Sequence, residues 1–293
     1  MKVYIIGITG MLGSCLFLNF INSNKFQVKG SLRLKNYKYF VNHKKNIDLN
    51  NDVKNFENLK KKILSFKPDY VINCVGWVKQ KKEKKKTSNF LNSEFPNLLN
   101  DFLKINNIRL IHFSTDCVFS GKKGNYEIKD KPDPLDLYGL TKLRGEVFDK
   151  NCLTIRTSII GHEINTMTGL LEWFLNQKRI CLGFNNAFFS GLTTYEIYKF
   201  LVKLINSKKK ISGIFHLSSK KISKYTLLKK IRKIYGKSTS IKKDSSVVID
   251  RSLSKKLSLK IFKYSIPTWK KMIVQMQNNK IKIYKKLKIK QIV

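Results

Sequence analysis

Tyr138 and Lys142 lie four residues apart in the segment YGLTK and are the pair in this sequence best suited to proton transfer. Four residues make about one turn of a helix, so both side chains emerge on the same face. A neighbouring ammonium group favours the phenolate and lowers the pKa of a tyrosine. We therefore expect Tyr138 to act as a general acid that protonates a carbonyl oxygen while hydride arrives at the carbon. Such a pair also occurs on ordinary surface helices, so its context decides between the two interpretations.

That context is a hydroxyl group at the end of a buried strand. The segment IRLIHFST predicts a strand that ends at Ser114 and Thr115. The carboxyl end of a central parallel strand opens into the ligand crevice, where Thr115 can donate to the same carbonyl oxygen as Tyr138. Ser114 is a possible substitute for Thr115, and the alternative is a plain strand cap. The turn residues Asp133–Pro134 indicate an ordered loop at the mouth of this site.

Three glycines near the start of the chain, Gly7, Gly10 and Gly13, are spaced as GxxGxxG between an apolar run and a helical pattern. The first glycine permits a tight turn, the second lets the backbone approach a pyrophosphate, and the third lets the helix pack closely on the strand. Free N–H groups and partial positive charge at the helix N-terminus favour the phosphates. The pattern predicts a dinucleotide site.

The residue after the second strand discriminates between nicotinamide cofactors. An acidic residue there would bind the ribose 2′-hydroxyl of NAD, whereas this sequence has Arg33, which can hold a 2′-phosphate. We therefore expect NADPH as the cofactor, with NADH as the second option. The alternative is that Arg33 is one more surface cation in a basic chain.

Short apolar runs alternate with helical patterns through the first half of the chain, including a helix over 90–107 with a break near Pro96. Strands separated by such helices predict parallel βαβ units with right-handed crossovers. We predict an α/β fold with a Rossmann-type doubly wound parallel sheet. Residues 1–158 are expected to form an NAD(P)-binding domain, and residues 159–293 a smaller substrate-binding lobe partly interleaved with the sheet.

The charge of the chain is high, with 59 Lys and Arg against 19 Asp and Glu and a formal net charge of +40. Such a value first suggests nucleic acid or an anionic membrane as a partner. The lysines are spread along the whole chain, however, and phosphate recognition more often uses the planar fork of arginine. We interpret the charge as mainly compositional and expect no nucleic-acid partner.

The five cysteines are an odd number, widely spaced and without a CxxC motif, which indicates reduced thiols in a cytoplasmic protein and no metal site. The uncharged stretch 3–21 resembles a signal peptide or membrane span in composition. Glycines interrupt it, and a strand, a turn and a buried helix explain it better, so we expect no membrane span.

Two segments are strongly basic. Residues 79–88 are expected to form a solvated loop. Residues 279–293 are best explained as a frayed tail, with an edge strand or a contact to an anionic surface as alternatives.

Five segments of the chain, taken in order, resemble those of the extended short-chain dehydrogenases, and within them those of the dTDP-4-dehydrorhamnose reductase group. The resemblance is close over about residues 1–160 and looser beyond. It is carried by the segments GITGMLG, NCVG, STDCVFSG, PLDLYGLTKLRGE and IRTS.

The resemblance implies reduction of a sugar-nucleotide ketone by NAD(P)H, with Thr115, Tyr138 and Lys142 as the catalytic set. Lys142 would also bind the nicotinamide ribose, so Tyr138 and Lys142 belong to the cofactor site as well. Among the other implied cofactor residues, Gly10, Met11 and Leu12 would contact the pyrophosphate. The adenine would be flanked by Asp48 and Leu49, and the cofactor groove would be lined by Cys74, Val75 and Gly76, with Asn92 supporting it.

Two positions depart from the family pattern. Cys117 replaces a tyrosine in STDYVF, near the expected sugar, and Trp77 follows a segment that reads NCVG in place of the family's NAA. Both put the particular sugar in doubt and leave the catalytic groups in place. Arg251 in IDRSL is a further candidate for the nucleotide diphosphate.

Three other functions stay open at this point. An epimerase or a dehydratase uses the same scaffold, although only Asp116 follows Thr115 where dehydratases carry an acidic pair. A non-catalytic, NADP-binding regulatory subunit is the second, and nucleic-acid binding, supported by charge alone, is the third. The expected partner is a nucleotide-sugar substrate, with a homodimer as an option.

Overall fold

The computed structural model describes residues 1–33, 38–78, 85–164 and 166–287. At its centre is a seven-stranded sheet in which all neighbouring strands are parallel, and this confirms the expected α/β, Rossmann-type fold. The strands of the chain are, in order, β1 Lys2–Ile6, β2 Gln27–Ser31, β3 Ile47–Asp48, β4 Tyr70–Asn73, β5 Arg109–Ser114, β6 Cys152–Arg156, β7 Ile159–Ile160, β8 Ile180–Phe184, β9 Ala187–Phe189, β10 Leu192–Thr193, β11 Gly213–His216, β12 Ile222–Ser223, β13 Ser240–Asp244 and β14 Ile249–Asp250.

The order of the strands across the central sheet is β11-β6-β5-β4-β1-β2-β3. The chain moves outward from β1 to β3, and then returns to the other side of β1 to form β4. Because the direction reverses between β1 and β4, the connections that follow these two strands diverge and leave a crevice at their carboxyl ends. This crevice is where the fold places a ligand.

Helices cover both faces of the sheet, and short 3₁₀ segments occur at Lys38–Asn46 and Asp116–Val118. The α-helices are α1 Met11–Asn22, α2 Phe56–Phe66, α3 Lys85–Asn89, α4 Phe95–Ile105, α5 Leu137–Arg144, α6 Leu170–Leu175, α7 Thr194–Asn206, α8 Lys224–Tyr235, α9 Lys256–Phe262 and α10 Trp269–Leu287.

Strand β1 shows how the two layers of helices are held. Its side chains alternate between the faces of the sheet. Val3 and Ile5 belong to the larger core, with apolar residues of α1, α7, α8 and α10. Tyr4 and Ile6 belong to the other core, with residues of α2 and α4. Burial on both faces explains why this strand reads as a continuous apolar run.

The chain beyond β6 contributes both to the central sheet and to smaller sheets. Strand β11 pairs with β6, so the C-terminal half supplies an edge strand of the central sheet. The smaller sheets pair β10 with β7, β9 with β12 and β14, and β13 with β8. The domain boundary at residue 158 stays a prediction.

A π-helical segment, Phe90–Glu94, lies between α3 and α4, and Pro96 follows as the second residue of α4. Proline has no N–H group and cannot continue a regular helix, so a widened turn before it is the expected adjustment. The break expected near Pro96 is therefore present as this π-helical segment.

Two expectations about basic segments are wrong over the residues that the structure describes. The first nine residues of the segment 279–293 are the end of α10, because Met272, Met276 and Ile283 recur at helical spacing and are buried. Residues 288–293 lie outside the described residues. In the expected loop 79–88, residues 85–88 belong to α3, and 79–84 lie outside the described residues.

In the described part of the chain, no helix is long and apolar enough to cross a membrane. The uncharged stretch 3–21 forms β1, the glycine turn and α1, as expected. Among the same residues, no group of three His, Cys, Asp or Glu side chains is arranged to hold a metal ion. All five cysteines are free thiols.

Candidate active site

The glycine turn between β1 and α1 is built by close backbone contact. Gly7 has φ +84°, and a Cβ on Gly13 would lie 2.2 Å from the Gly7 carbonyl oxygen, so no side chain fits at position 13. A Cβ on Gly10 would meet only that oxygen, at 3.6 Å, and Gly10 is exposed. The helix therefore packs tightly on the strand while the turn stays open at Gly10.

The first turn of α1 suits a dinucleotide phosphate. Gly10 caps the helix without a side-chain hydrogen bond, and the first turn contains no acidic residue. Its N–H groups and partial positive charge face the crevice at the end of β1. Leu12 is buried in the core, so this residue offers a ligand only its backbone. Met11 is half-buried, and its Cε would be 2.5 Å from a Cβ on Gly169.

The adenosine side of the crevice lies beyond β2 and β3. Arg33 follows β2 and is exposed, so its guanidinium is accessible to a ligand at this edge. Asp48 is buried and accepts a hydrogen bond of 2.8 Å from the Tyr4 hydroxyl, with Lys29 at 3.5 Å. The Asp48 carboxylate is thus bonded within the fold. The groups that could contact an adenine here are the backbone of Asp48 and the half-buried Leu49.

The loop after β4 packs directly against the glycine turn. Cys74 is half-buried, and a Cβ on Gly7 would be 2.9 Å from Val75 Cγ2. The Val75 N–H donates to Asn73 Oδ1 at 3.0 Å, which fixes the start of the loop. A Cβ on Gly76 would be 3.2 Å from Asn92 Oδ1, so a larger residue at position 76 would press on that amide.

Asn92 connects this loop to helix α5. The side chain is fully buried; its Oδ1 accepts from the Trp77 N–H at 2.8 Å, and its Nδ2 donates to the Trp77 carbonyl at 3.1 Å. The same Nδ2 donates to Thr141 Oγ1 at 3.1 Å. A Cβ on Gly145 would lie 1.8 Å from the Asn92 carbonyl oxygen, so the end of α5 packs directly on this segment. Asn92 therefore supports the groove indirectly, by bonding the loop after β4 to helix α5.

Thr115 and Tyr138 come together at the end of β5. Thr115 is buried, caps the 3₁₀ segment through a 3.1 Å bond from the Cys117 N–H, and donates to Asp116 Oδ1 at 3.2 Å. Its side chain also hydrogen-bonds Tyr138 and lowers the pKa of that phenol. The site therefore brings together the two hydroxyl groups that the sequence analysis singled out.

The expected effect of Lys142 on Tyr138 is wrong. The pKa of Tyr138 is raised, chiefly because burial penalises the phenolate, and the nearby Cys117, Asp116 and Asp136 add to the rise. The Lys142 ammonium donates instead to the Phe113 carbonyl oxygen at 2.5 Å. The four-residue spacing thus gives a shared helix face, while burial and the acidic neighbours of Tyr138 decide the direction of its pKa.

Lys142 is almost fully buried, with 5% of its surface exposed. Burial lowers the pKa of Lys142 to about 8, while Glu146 and Cys74 act in the opposite direction. A value near 8 leaves most of the group charged at neutral pH. The side chain reaches the end of β5 through its bond to the Phe113 carbonyl oxygen, and it lies close enough to Cys74, after β4, for the two groups to influence each other.

The sequence analysis missed two residues of this region, Glu146 and Arg156. Their ion pair has an N–O distance of 2.7 Å, and both side chains are 5% exposed or less. Ser114, the possible substitute for Thr115, donates to Glu146 Oε1 at 2.6 Å and so faces this pair. The signal available in the sequence was an acid four residues after Lys142, just beyond the end of the helix that carries it.

Arg251 and Cys117 lie beside each other at the rim of the site. The Arg251 Nε donates to the Phe119 carbonyl oxygen at 2.9 Å, and Nη1 lies 3.6 Å from the Cys117 sulfur. Cys117 is close enough to Tyr138 to influence its pKa. The position at which the family pattern has tyrosine is thus in contact with an arginine from the C-terminal half of the chain.

A doubly wound parallel sheet with a glycine turn at the switch point is the fold of a large class of dinucleotide-binding proteins. Within that class, the chain belongs to the RmlD substrate binding domain family, whose model matches residues 1–280. Both findings confirm the resemblance described above.

Two curated relatives match the chain over part of their length. Methionine adenosyltransferase 2 subunit beta of Danio rerio is 29% identical over 145 residues, which are 50% of this chain and 42% of the relative. The probable low-salt glycan biosynthesis reductase Agl14 of Haloferax volcanii is 30% identical over 132 residues, 42% of this chain and 44% of the relative. The matched segment therefore spans less than half the length of each relative.

The fold is also that of solved structures. A dTDP-4-dehydrorhamnose reductase from Bacillus anthracis, solved in complex with NADP, has a TM-score of 0.77 at 18% identity, covering 94% of this chain and 98% of that chain. Sugar-nucleotide epimerases and a dehydratase are among the other structures of similar fold. At these identities the likeness establishes the fold.

Proposed function

We propose that this chain reduces a 4-keto-6-deoxyhexose nucleotide with NADPH, in the synthesis of a deoxysugar or a surface polysaccharide. The observation that carries the proposal is the contact between the Thr115 hydroxyl and Tyr138 at the carboxyl end of β5, with Lys142 on the same helix as Tyr138. Membership of the RmlD substrate binding domain family supports the substrate class.

The residues around the crevice fit the cofactor. Gly10 leaves the backbone open to a pyrophosphate, Arg33 is accessible to a 2′-phosphate, and Cys74–Gly76 lie beside the glycine turn. The reduced nicotinamide supplies the hydride for the carbonyl carbon. The proposal includes a preference of the protein for NADPH over NADH, which depends on Arg33.

In the proposed reaction, Tyr138 donates its phenolic proton to the oxygen of the 4-keto group as the carbon accepts hydride. The raised pKa keeps this phenol protonated at neutral pH, so it enters the reaction as an acid. When the ketone is bound, Thr115 turns its hydroxyl proton from Asp116 to the same oxygen and orients the ketone. Lys142, cationic in its buried position, offsets the negative charge left on Tyr138 after proton transfer.

The test is turnover of purified protein with NADPH and several 4-keto-6-deoxyhexose nucleotides, measured as loss of the near-ultraviolet absorbance of the reduced nicotinamide. We expect stoichiometric oxidation of NADPH and a 4-hydroxy product. Tyr138→Phe should lose nearly all turnover and keep NADPH binding. Absence of turnover with every such substrate would contradict the proposal.

Product analysis separates the reductase from an epimerase or a dehydratase, because these regenerate their cofactor and consume no NADPH over a full cycle. Asp116 is the acid adjacent to Thr115, and its Oδ1 is occupied by the Thr115 hydroxyl at 3.2 Å. This bond favours an orienting role for Asp116 over proton abstraction from the sugar.

A second candidate function is that of a non-catalytic subunit that binds NADP. It is favoured by one observation, the match to a relative named as subunit beta of a methionine adenosyltransferase. This alternative predicts NADPH binding without turnover of any sugar nucleotide, and identical NADPH binding in wild type and Tyr138→Phe.

A further inference from the structure

A buried carboxylate lies next to the candidate active site without taking part in the proposed proton transfer. Glu146 follows α5, one helical turn after Lys142. Its Oε1 accepts from Ser114 Oγ at 2.6 Å and from Arg156 Nε at 2.8 Å, and its Oε2 accepts from Arg156 Nη2 at 2.7 Å. A two-pronged bond of this kind fixes the carboxylate in one orientation.

The pairing of two strands places these partners. Ser114, the last residue of β5, lies in register with Arg156, the last residue of β6. Both reach Glu146, so the carboxylate joins the ends of the two strands to α5. The neighbouring residue of β5, Phe113, accepts the hydrogen bond from Lys142 at 2.5 Å. Phe113 and Ser114, which are successive residues of β5, therefore bond Lys142 and Glu146, respectively. Lys142 and Glu146 are themselves four residues apart in the sequence.

Burying an ammonium without a compensating negative charge is costly, and the group then tends to lose its proton. Two groups are identified as favouring the charged form of Lys142, Glu146 from its own segment and Cys74 after β4. The other titratable groups around it are Tyr138 on α5, His112 on β5, which is fully buried, and Arg156 on β6, which faces Glu146. The Cys74 thiol is itself neutral near pH 7, since burial raises its pKa.

We propose that Glu146 is a positioning residue, whose carboxylate, fixed by Ser114 and Arg156, keeps Lys142 cationic on the helix that carries Tyr138. The inference rests on the proposed role of Lys142 in the reduction. Glu146 touches neither substrate nor cofactor in this account. It acts through Lys142, by charge and by holding the strand end at which Lys142 donates its hydrogen bond.

The experiment compares Glu146→Gln with the double variant Glu146→Gln/Arg156→Met. The single variant leaves the Arg156 guanidinium buried without its partner, which is strongly destabilising, whereas the double variant removes both charges. Glu196→Gln is the matched control, because Glu196 on α7 is another fully buried carboxylate, bonded to Tyr264 and paired with Lys199. Folding of each variant is checked by circular dichroism.

The first readout does not depend on activity. The rate at which a small amine-acylating reagent labels Lys142 is followed against pH by peptide mass spectrometry. We expect a wild-type midpoint near pH 8, the pKa that burial gives this lysine. In the double variant the midpoint should fall because the opposite charge of Glu146 is lost, and the fall should stay below about one pH unit because the positive charge of Arg156 is lost with it. Glu196→Gln should keep the wild-type midpoint.

The second readout is the pH profile of kcat with NADPH, whose upper limb should move down by the same amount in the double variant. An unchanged labelling midpoint in a folded double variant would overturn the inference and leave a purely structural ion pair. A lowered midpoint together with no turnover in the wild type would support the effect of Glu146 on Lys142 and contradict the proposed function, so the two failures are distinguishable.

Discussion

Gly139 and Cys117 are in contact across the candidate active site, because a Cβ on Gly139 would lie 2.2 Å from the Cys117 carbonyl oxygen. Gly139 follows Tyr138 on α5, and Cys117 lies two residues after Thr115. The absence of a side chain at position 139 therefore sets how closely the helix approaches the end of β5, and with it the contact between Thr115 and Tyr138.

Gly139→Ala should separate these two hydroxyl groups. The added methyl group must push α5 away from Cys117, which costs about 1–3 kcal/mol of folding stability in a packed interior. Turnover should fall by at least about tenfold, since misplacement of a reacting group by about 1 Å has effects of this size or greater. Arg144→Ala, at an exposed position of the same helix, should keep wild-type kcat. Equal kcat in the two variants would contradict this account.

Thr115→Ala and Ser114→Ala should differ in kind. Thr115 hydrogen-bonds Tyr138, so its loss should lower kcat about a hundredfold, as expected for one donor to a reacting oxygen. Ser114 bonds Glu146, so its loss should act mainly through Lys142 and leave the Thr115–Tyr138 contact intact. Steady-state kinetics at saturating NADPH measures both effects. A larger loss in Ser114→Ala would assign the orienting role to Ser114.

Turnover should fall as the pH rises through about 8. Lys142 has its pKa lowered to about 8 by burial, so its cationic form, which the proposed reaction uses, disappears above that value. The same group destabilises the fold below pH 8, and this cost is relieved as the pH rises towards its unfolded pKa of about 10.4. The pH profile of kcat/KM tests the first statement, and Lys142→Met should lose activity at every pH.

Arg33→Ala should weaken NADPH binding about tenfold or more and leave NADH binding nearly unchanged, because only NADPH carries the 2′-phosphate. Lys25→Ala is the charge-matched control, an exposed cation at the other end of the segment that contains β2. Fluorescence titration with both cofactors gives the two dissociation constants. Equal losses of affinity for NADPH and NADH would show that Arg33 is a surface cation without a specific contact to the 2′-phosphate.

Acid should destabilise the fold through His216 on β11. Burial, with a further contribution from Arg156, lowers the pKa of His216 to about 4. The unfolded chain therefore binds a proton that the folded chain does not between about pH 6.5 and 4, and stability is lost as the pH falls through this range, by up to about 3 kcal/mol. Urea unfolding at several pH values measures the slope, which His216→Gln should flatten.

Much of the fold could be predicted because its signals are local. The glycine spacing, the apolar strands and the amphipathic helices each depend on neighbouring residues. The strand predicted over 108–115 is present as Arg109–Ser114, and the helix predicted over 137–150 is present but ends earlier, as Leu137–Arg144. The segment after residue 279 was misread because its apolar residues pack only through contact with distant helices. Tertiary burial there decided the structure in favour of a helix.

The electrostatics of the site could not be predicted from spacing. The sequence placed Tyr138 and Lys142 on one helix face, but the direction of their pKa values depends on depth of burial and on which carbonyl oxygen the ammonium reaches. Likewise, Ser114 and Arg156 reach the same carboxylate of Glu146 because β5 pairs with β6, and this pairing joins residues far apart along the chain.

The bonds of Asn92 have a consequence for attempts to redesign the specificity of this protein. One amide group fastens both the loop that lines the groove and the helix that carries Tyr138, so a substitution there would disturb cofactor affinity and reaction rate together. Arg33, exposed at the far end of the crevice, is outside that linkage. Exchange of one cofactor for the other is therefore best attempted from Arg33, where a change leaves the catalytic helix in place.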